Sequence, residues 1–346
     1  MMSHGRTLVL AAAVLLAGCE NGAQPTSPSE PPSLAPGKRP AGTGITLTVL
    51  ATLGGSSSAQ AVNDNGLIAG YSTSAAGVMH AVVWNNGQIL DLGPGWATDI
   101  NGSGKVVGFN AGQALLWSPK SGGGYDPPVD LGTLGGSDAD AQAINDSGQI
   151  TGNTTLASGA AHAYLRTGTL MSDIHPASGS LAGGVSYAWG LNNTGTVVGQ
   201  WSGATNQSFV WTSAGGMQLL ATLGGSSGVA LDVNDNGQVV GWSEPAPGQL
   251  DEAYIYESGT IRRLGTLGAA GSVAIAINRL GVVVGQASTR RGPRAFYWTA
   301  LGGMKDLGLP KGSSFGRAWD INSGGWIVGE VSGGNGLPRA VLWRLP

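Results

Sequence analysis

The sequence predicts an all-β fold, a seven-bladed β-propeller with four-stranded blades. The pattern N-x-x-G-x-[VI]-x-G occurs seven times, at steps of 38 to 47 residues, and a period in the low forties matches one propeller blade. Around every copy lie short apolar or aromatic segments separated by turn residues. Three segment types occur seven times, whereas the fourth is missing after the last copy. The seven copies are Asn63–Gly70, Asn101–Gly108, Asn145–Gly152, Asn192–Gly199, Asn234–Gly241, Asn278–Gly285 and Asn322–Gly329.

Each repeat begins with a segment A-x-[AGD]-[VIL]-N, which ends at the repeated asparagine. Its small residues alternate and so share one face of a strand, which suits a crowded axis where the inner strands converge. Two turn residues such as Asp-Asn lead to the second segment, G-x-[VI]-x-G, and predict a hairpin. The third segment, [HQER]-[AS]-x-x-[WYR], is rich in aromatic and β-branched residues, as strands prefer. The fourth is apolar and often ends in Asp-Leu-Gly.

The two ends of the repeat array predict how the ring closes. After Trp343 the sequence offers no fourth segment, whereas Thr46–Gly55 looks like a fourth segment with its linker. We therefore expect the N-terminal strand to complete the last blade, because this removes both free edges. A stacked β-solenoid is the alternative; it would need capping elements at both ends, and the sequence offers none.

The first 44 residues predict export and an anchor. Arg6 precedes a short apolar run, Thr7–Ala17, and Leu16-Ala17-Gly18-Cys19 resembles a bacterial lipobox, so residues 1–18 are predicted to be a lipoprotein signal peptide. Cys19, the only cysteine, is the predicted lipidation site and the contact with the membrane. An ordinary secretory signal is the alternative. Residues 19–44, rich in Pro, Ser and Gly, predict a tether, and residues 45–346 the propeller.

These features place the protein in the bacterial cell envelope, lipid-anchored, with Glu20 after the cysteine favouring the outer membrane; the cell surface or secretion are alternatives. The formal net charge of −3 and a basic cluster limited to Arg290, Arg291 and Arg294 exclude nucleic acid as the expected partner. No motif for a cofactor or a metal stands out, so neither is predicted.

The repeat resembles a known family. The combination of T-L-G-G-S, A-x-x-[VI]-N-x-x-G-x-[VI]-x-G and strings such as His80-Ala-Val, His162-Ala-Tyr and Arg294-Ala-Phe is similar to the HAF-repeat family of extracellular bacterial proteins. The resemblance covers Thr46 to Pro346, although no full H-A-F triplet is present. It implies secretion and a propeller-like array, and it implies no activity.

Three acidic residues form the first candidate site. Asp99, Asp232 and Asp320 share the third position of the inner segment, where other repeats carry Ala or Gly. If that position faces the channel, three carboxylates would line it and could bind a cation or serve as an acid–base pair. The alternative is that each carboxylate caps the adjacent turn or bonds the backbone of a neighbouring blade.

The first position of the third segment forms the second candidate site. It carries His80, His162, Glu252 and Arg294, and with His175 the histidines could ligate a metal or contact a ligand. Because other repeats carry Gln or Arg at this position, a polar residue at a strand start is the alternative. We also expect the tryptophans of the first two segments to pack between blades, with stacking on sugars or peptide side chains as the alternative.

The leading prediction is a non-catalytic binding or scaffold module for a protein or a polysaccharide, with the ligand on the face that carries the interblade linkers and the loop Ser243–Glu252. The alternative is a glycan-active lyase or hydrolase that uses carboxylates at the channel mouth, although the sequence holds neither a paired-acid motif nor a nucleophile. A structural surface protein is the third possibility.

Overall fold

The computed structural model describes residues 44–334 and 336–346, which form 28 strands in seven antiparallel four-stranded sheets. The predicted signal peptide, Cys19 and nearly all of the predicted tether lie outside these residues. The seven sheets are the seven blades of a propeller, as the repeat predicts. The described residues include no helix long and apolar enough to cross a membrane.

In blades 1 to 6 the strands follow chain order from the channel outward, and in blade 7 the outermost strand is the first of the chain. Blades 1 to 3 comprise β2 (Gly54–Val62), β3 (Ile68–Ser74), β4 (Met79–Asn85), β5 (Gln88–Pro94); β6 (Trp96–Ile100), β7 (Val106–Asn110), β8 (Gln113–Trp117), β9 (Val129–Asp130); and β10 (Gly135–Ile144), β11 (Ile150–Leu156), β12 (Ala161–Thr167), β13 (Leu170–Asp173). Blades 4 and 5 comprise β14 (Val185–Leu191), β15 (Val197–Ser202), β16 (Asn206–Thr212), β17 (Gly216–Leu219); and β18 (Gly228–Val233), β19 (Val239–Ser243), β20 (Glu252–Glu257), β21 (Thr260–Arg263). Blade 6 comprises β22 (Ser272–Ile277), β23 (Val283–Thr289), β24 (Gly292–Thr299), β25 (Gly303–Asp306), and blade 7 comprises β26 (Gly316–Ile321), β27 (Trp326–Ser332), β28 (Pro338–Arg344) with β1 (Thr46–Val49).

The N-terminal strand closes the ring. β1 pairs antiparallel with β28, from Thr46 opposite Arg344 to Val49 opposite Val341. The backbone N–H of Leu50 then donates to the carbonyl of Ala340 at 2.9 Å. This pairing confirms the predicted closure, and it gives the outermost position of the last blade to the first strand of the domain.

The repeated asparagine forms a closed ring of its own. In each blade its Oδ1 accepts N–H groups of its own turn, as Asn278 does from Leu280 and Val282 at 3.0 Å. Its Nδ2 donates to the backbone carbonyl of the equivalent asparagine in the next blade, at 2.9 to 3.1 Å in all seven cases. The last of these bonds runs from Asn322 back to Asn63. We call these seven residues the asparagine ring.

The second glycine of the motif is explained by a β-bulge. In every blade the first strand carries one extra residue, directly after the repeated alanine, opposite this glycine. At Gly241 a Cβ atom would lie closer than 3.0 Å to the carbonyl oxygen of Val229, and the equivalent glycine meets the same obstacle in all seven blades. A side chain is therefore excluded by close backbone approach, which the motif alone does not reveal.

The core lies between blades. Seven buried apolar clusters are present among the described residues, and each joins two adjacent blades, including blade 7 to blade 1. The repeated alanine of the first segment is fully buried in these clusters, as at Ala230 and Ala318. For this first position the expectation that small residues crowd the axis is therefore wrong: the alanines pack against a neighbouring blade, because the bulge turns the following residue toward the channel. Small residues at the third position, such as Ala61 and Gly190, do line the channel.

Candidate functional site

The channel holds a cavity of about 350 Å³, lined by 23 residues, most of them from the two inner strands of the blades. Its walls form three tiers, each made of equivalent positions of the repeat. The rim tier consists of the residue before the repeated alanine and its cross-strand partner after the second glycine. The bulge tier is the extra residue itself, and the floor tier is the residue that follows it, closest to the asparagine ring.

Aromatic side chains dominate one side of the rim tier. Trp96 lies 4.4 Å from Tyr71 and 5.8 Å from Phe109 between ring centroids, so three rings from blades 1 and 2 form one apolar wall. Trp242 of blade 5 also lines the cavity. Aromatic faces of this kind stack on sugar rings and on organic cations.

Charged and polar groups occupy another part of the rim. Arg317 and Glu330 are cross-strand partners in blade 7. The Arg317 guanidinium donates to Gln286 Oε1 at 3.2 Å and lies 4.8 Å from the centre of the Trp319 ring. Burial raises the pKa of Glu330, an effect that Arg317 opposes, and burial lowers the pKa of Arg317. The pair thus places one cation and one acid, both largely buried, in the cavity wall.

The bulge tier mixes amides, apolar side chains and two indoles. Its members are Gln60, Thr98, Gln142, Trp189, Leu231, Ile275 and Trp319. The Nε1 atoms of both indoles, Trp189 and Trp319, are buried, and neither has a hydrogen-bond partner among the described residues. A buried donor without an acceptor is costly, and an oxygen of a bound molecule would satisfy it.

The floor tier contains the three predicted aspartates, and all three line the cavity. Each also bonds two backbone N–H groups, one of its own strand and one of the next blade. Asp232 accepts from Val233 at 2.7 Å and from Ile277 at 2.8 Å, and the other two repeat the arrangement. Asp99 bonds Ile100 and Ile144, and Asp320 bonds Ile321 and Val62. The carboxylates thus line the channel and at the same time bond the backbone of a neighbouring blade, so the two placements offered by the sequence are not exclusive.

The sequence of the floor tier follows from these bonds. Each aspartate reaches a blade whose own floor residue is alanine, namely Ala143, Ala276 and Ala61. Blade 4 carries Gly190, where a Cβ would lie 2.9 Å from Asp232 Cα. The small residues predicted from sequence thus leave space for the carboxylates of their neighbours.

Burial raises the pKa of all three floor aspartates, to about 6 for Asp99 and to about 7 for Asp232 and Asp320. Their bonds to backbone N–H groups oppose this shift, while repulsion among the three adds to it for Asp232 and Asp320. Near neutral pH the three carboxylates of the floor tier are therefore only partly ionised, and a cation in the cavity would favour their ionised form.

The second set of predicted residues lies elsewhere, on the outer strands. His80, His162, Glu252 and Arg294 each face a residue of opposite charge character on the fourth strand of the same blade. The pairs are His80 Nδ1 with Asp91 at 2.8 Å, His162 Nδ1 with Asp173 at 2.8 Å, Glu252 with Arg263 at 3.5 Å, and Arg294 with Asp306 at 3.8 Å. In blade 5 the acidic residue, Glu252, lies on the third strand and the basic residue, Arg263, on the fourth, the reverse of the order in the other three pairs. The position is a repeated cross-strand pair, and the structure does not bring its members together between blades.

The histidines come together only in blade 3. The His162 and His175 rings stack at 4.0 Å, and His175 Nδ1 lies 3.0 Å from Ser186 Oγ. Burial, and then His162, lower the pKa of His175. Within residues 44–334 and 336–346, no group of three His, Cys, Asp or Glu side chains has an arrangement that could hold a metal ion.

The tryptophans divide between two roles. Trp96, Trp189, Trp242 and Trp319 line the cavity, whereas Trp201 is buried and its Nε1 donates to the Leu181 carbonyl at 2.9 Å. Trp326 lies outside the channel beneath Arg344, whose guanidinium carbon is 3.9 Å from the ring centre. The expectation of packing between blades thus describes only part of the set.

Sequence reasoning missed most of the rim tier; only Trp96 and Trp242 belonged to the tryptophans for which stacking on a ligand was the alternative. Tyr71, Phe109, Trp242, Gln286 and Glu330 all follow the second glycine of the motif, and the repeats differ from one another there. Variation directly after a glycine that is the same in all seven repeats is a signal that could have identified them.

Comparisons with known proteins show the fold. No family model matches the chain, and a search of the curated proteins finds no relative. Among solved structures, the chain is similar to a puromycin-hydrolyzing peptidase of Mycobacterium tuberculosis, with a TM-score of 0.56, 12% identity and coverage of 85% of this chain and 54% of that one. It is also similar to the acylaminoacyl peptidase of Pyrococcus horikoshii, with a TM-score of 0.54, 12% identity and coverage of 83% and 51%.

A weaker similarity is to TolB from Acinetobacter baumannii, with a TM-score of 0.45, 14% identity and coverage of 76% and 75%. The chain spans about half the length of the two peptidases. At these identities the similarity to the peptidases concerns architecture alone, because function resides in sites rather than in folds. The chain is a seven-bladed β-propeller, and its activity has to be argued from the channel.

Proposed function

We propose that this chain is a non-catalytic binding propeller, anchored to the bacterial envelope through lipidated Cys19, which takes part of a glycan or protein ligand into its channel cavity. One observation carries the proposal. The cavity combines an aromatic wall with a buried indole N–H that lacks an acceptor, and this is the composition of a ligand pocket. The resemblance to HAF repeats supports export and adds nothing on the ligand.

The floor tier supports binding rather than catalysis. Both oxygens of each aspartate accept backbone N–H groups, which fixes the carboxylates in the wall and occupies lone pairs that proton transfer would use. No serine, cysteine or histidine is among the described residues that line the cavity. A fixed carboxylate is suited to hold charge on a ligand.

The test is retention of polysaccharides by the purified domain, residues 44–346, with product release measured in the same samples. We expect retention without new reducing ends or unsaturated products. Trp242→Ala and Trp189→Ala should abolish retention, whereas Trp326→Ala, a tryptophan outside the channel, should retain binding once its fold is confirmed by circular dichroism. Retention that survives both channel substitutions would contradict the proposal.

A glycan-active hydrolase or lyase is the second candidate, and one observation favours it. The pKa of Asp232 and of Asp320 is raised to about 7, a value suited to a general acid at neutral pH. Product release that disappears in Asp232→Asn or Asp320→Asn would establish this candidate and overturn the non-catalytic proposal.

The anchor has its own test. In a Gram-negative host the full chain should partition with membranes and carry fatty acyl chains on Cys19, detected by mass spectrometry of the N-terminal peptide. Cys19→Ser should release it into the soluble fraction. A mature N-terminus at another residue would contradict the anchor without affecting the pocket.

A further inference from the structure

The charges that line the cavity are unbalanced. Among the described lining residues, four carboxylates, those of Asp99, Asp232, Asp320 and Glu330, face it against one guanidinium, that of Arg317, which gives a formal charge of −3 when all four acids are ionised. Neither lysine nor histidine contributes to the lining. A cavity of one sign with low-dielectric walls concentrates ligands of the opposite sign.

Arg317, the one cationic side chain among the described lining residues, is held at the rim by its contacts. Arg317 bonds Gln286, stacks over Trp319 and faces Glu330 across the strands. In the described part of the chain, no ion pair reaches a floor aspartate. The ionised floor carboxylates therefore lack a counter-ion from these residues, and their mutual repulsion is relieved either by protonation or by a cation in the channel.

The cavity walls above the floor tier indicate two further properties of a ligand. The adjacent Tyr71, Trp96 and Phe109 rings, of which Trp96 and Phe109 are stacked and Tyr71 is tilted, offer apolar surface for the C–H face of a saccharide ring or for a cation. Trp189 Nε1 needs an oxygen acceptor. A neutral sugar would leave the floor charges uncompensated, and a tetraalkylammonium ion would leave the indole N–H unpaired.

We infer that the channel binds an amino sugar, a saccharide residue with a free ammonium group directed at the aspartates of the floor tier, a ring face on the aromatic wall and an oxygen on Trp189. The inference rests on the proposed binding function and names its ligand class. The cavity of about 350 Å³ is at the small end of ligand pockets, which run from roughly 300 to 1,000 Å³, so it takes one or two saccharide residues.

The experiment compares three oligosaccharide series that differ only at one ring position. β-1,4-linked oligomers with an amine, an acetamide or a hydroxyl at carbon 2 are titrated into the domain at pH 6.5 by calorimetry, with tetramethylammonium as a fourth probe. The amine series should bind at least tenfold more tightly than the other two, and than tetramethylammonium. Asp232→Asn should reduce that preference at least fivefold. Asp126→Asn removes the same charge from an exposed loop and should leave the preference unchanged.

A pH series separates charge recognition from ring stacking. Affinity for the amine series should fall at least tenfold from pH 7 to pH 5, as the floor aspartates become protonated, while the hydroxyl series stays constant. The charged groups nearest the floor are Asp146 and Asp235 on the turns below and Arg317 and Glu330 at the rim. Because Asp146 and Asp235 lie outside the cavity, Asp146→Asn and Asp235→Asn should preserve the amine preference.

The outcomes are distinguishable. Equal affinity for the three series would overturn the amino-sugar inference and leave the binding function intact. Tetramethylammonium binding as tight as the amine oligomers would overturn the saccharide part, and absence of binding by every probe would overturn the inference altogether. Retention of an unrelated polysaccharide by the channel tryptophans would still support the proposed function.

Discussion

The asparagine ring and the rim and bulge tiers lie only a few residues apart on the same strands, yet one is identical in seven blades and the others differ from blade to blade. Every asparagine bonds the carbonyl of the next asparagine, so its side chain must meet the same geometry seven times. Rim and bulge side chains face an open cavity and meet no such requirement. Uniform positions in this repeat build the ring, and variable positions build the site.

Breaking the ring itself should have the largest effect. Deleting residues 46–53 removes β1, exposes the edge of β28 and empties the place of Leu50 in the cluster between blades 7 and 1. We expect loss of cooperative thermal unfolding, or aggregation, relative to the domain that begins at residue 44. A truncated protein that stays soluble and unfolds at the same denaturant concentration would contradict the closure.

The second-largest effect is expected from a methyl group added at the second glycine of the motif, which is present in all seven blades. Gly241→Ala places Cβ against the Val229 carbonyl, which cannot move without disrupting the bulge, so the free energy of unfolding should fall by about 3 kcal/mol or more. Gly183→Ala is the control, since a Cβ there meets nothing within 4 Å. Urea unfolding of both variants provides the measurement, and equal losses would show that steric approach is not the cause.

The asparagine ring should be sensitive one side chain at a time. Asn278→Ala leaves the N–H groups of Leu280 and Val282 and the carbonyl of Asn322 without their partners, at a cost of roughly 2–4 kcal/mol. Asn236→Ala, which loses one exposed bond in an equivalent turn, should cost about 1 kcal/mol or less. Chemical denaturation of the two variants tests the difference, and similar costs would mean that the buried bonds of Asn278 contribute no more than one exposed bond to the next blade.

The floor tier predicts how stability depends on pH. Burial raises the pKa of Asp99, Asp232 and Asp320 above the ordinary value of 3.8, so between about pH 4 and pH 7 the folded state holds protons that the unfolded state has lost. The free energy of unfolding should therefore fall as the pH rises through this interval, and be higher at pH 5 than at pH 8.

Asp232→Asn should reduce the dependence of the free energy of unfolding on pH without removing it. Burial also raises the pKa of Asp99, Asp320 and Asp140, so these residues contribute with the same sign. Urea unfolding of the unchanged domain and of Asp232→Asn at four pH values checks it. Stability that rises from pH 5 to pH 8 would contradict the raised pKa values.

The smallest effect belongs to the variable positions. Leu231→Gln places in blade 5 the residue that blades 1 and 3 carry at the bulge, and because it faces the cavity it should change the free energy of unfolding by less than about 1 kcal/mol. A loss as large as that of Asn278→Ala would mean that the bulge tier is structural.

Part of the fold and the site could be predicted because the repeat samples one environment seven times. The seven-fold motif and the missing last segment predicted the blades and their closure, and the shared position of the three aspartates predicted that they would be equivalent. The rim tier, Arg317 and Glu330 above all, escaped prediction because a bulge shifts the alternation of side chains by one residue, and period-two reasoning then assigns the wrong face. The charge reversal between Glu252 and Arg263 was visible in the sequence only once the two strands were known to be neighbours.

The sequence alone determined the number of blades, the turn at each asparagine and the strand that closes the ring, because each depends on local turn chemistry repeated at a fixed period. Only the tertiary structure decided which rim and bulge residues face the channel, that the position shared by the three aspartates faces it too, and where indole N–H groups lack a partner. Those properties arise from seven strands that converge on one axis and from a bulge that redirects each of them, and neither is encoded in any single repeat.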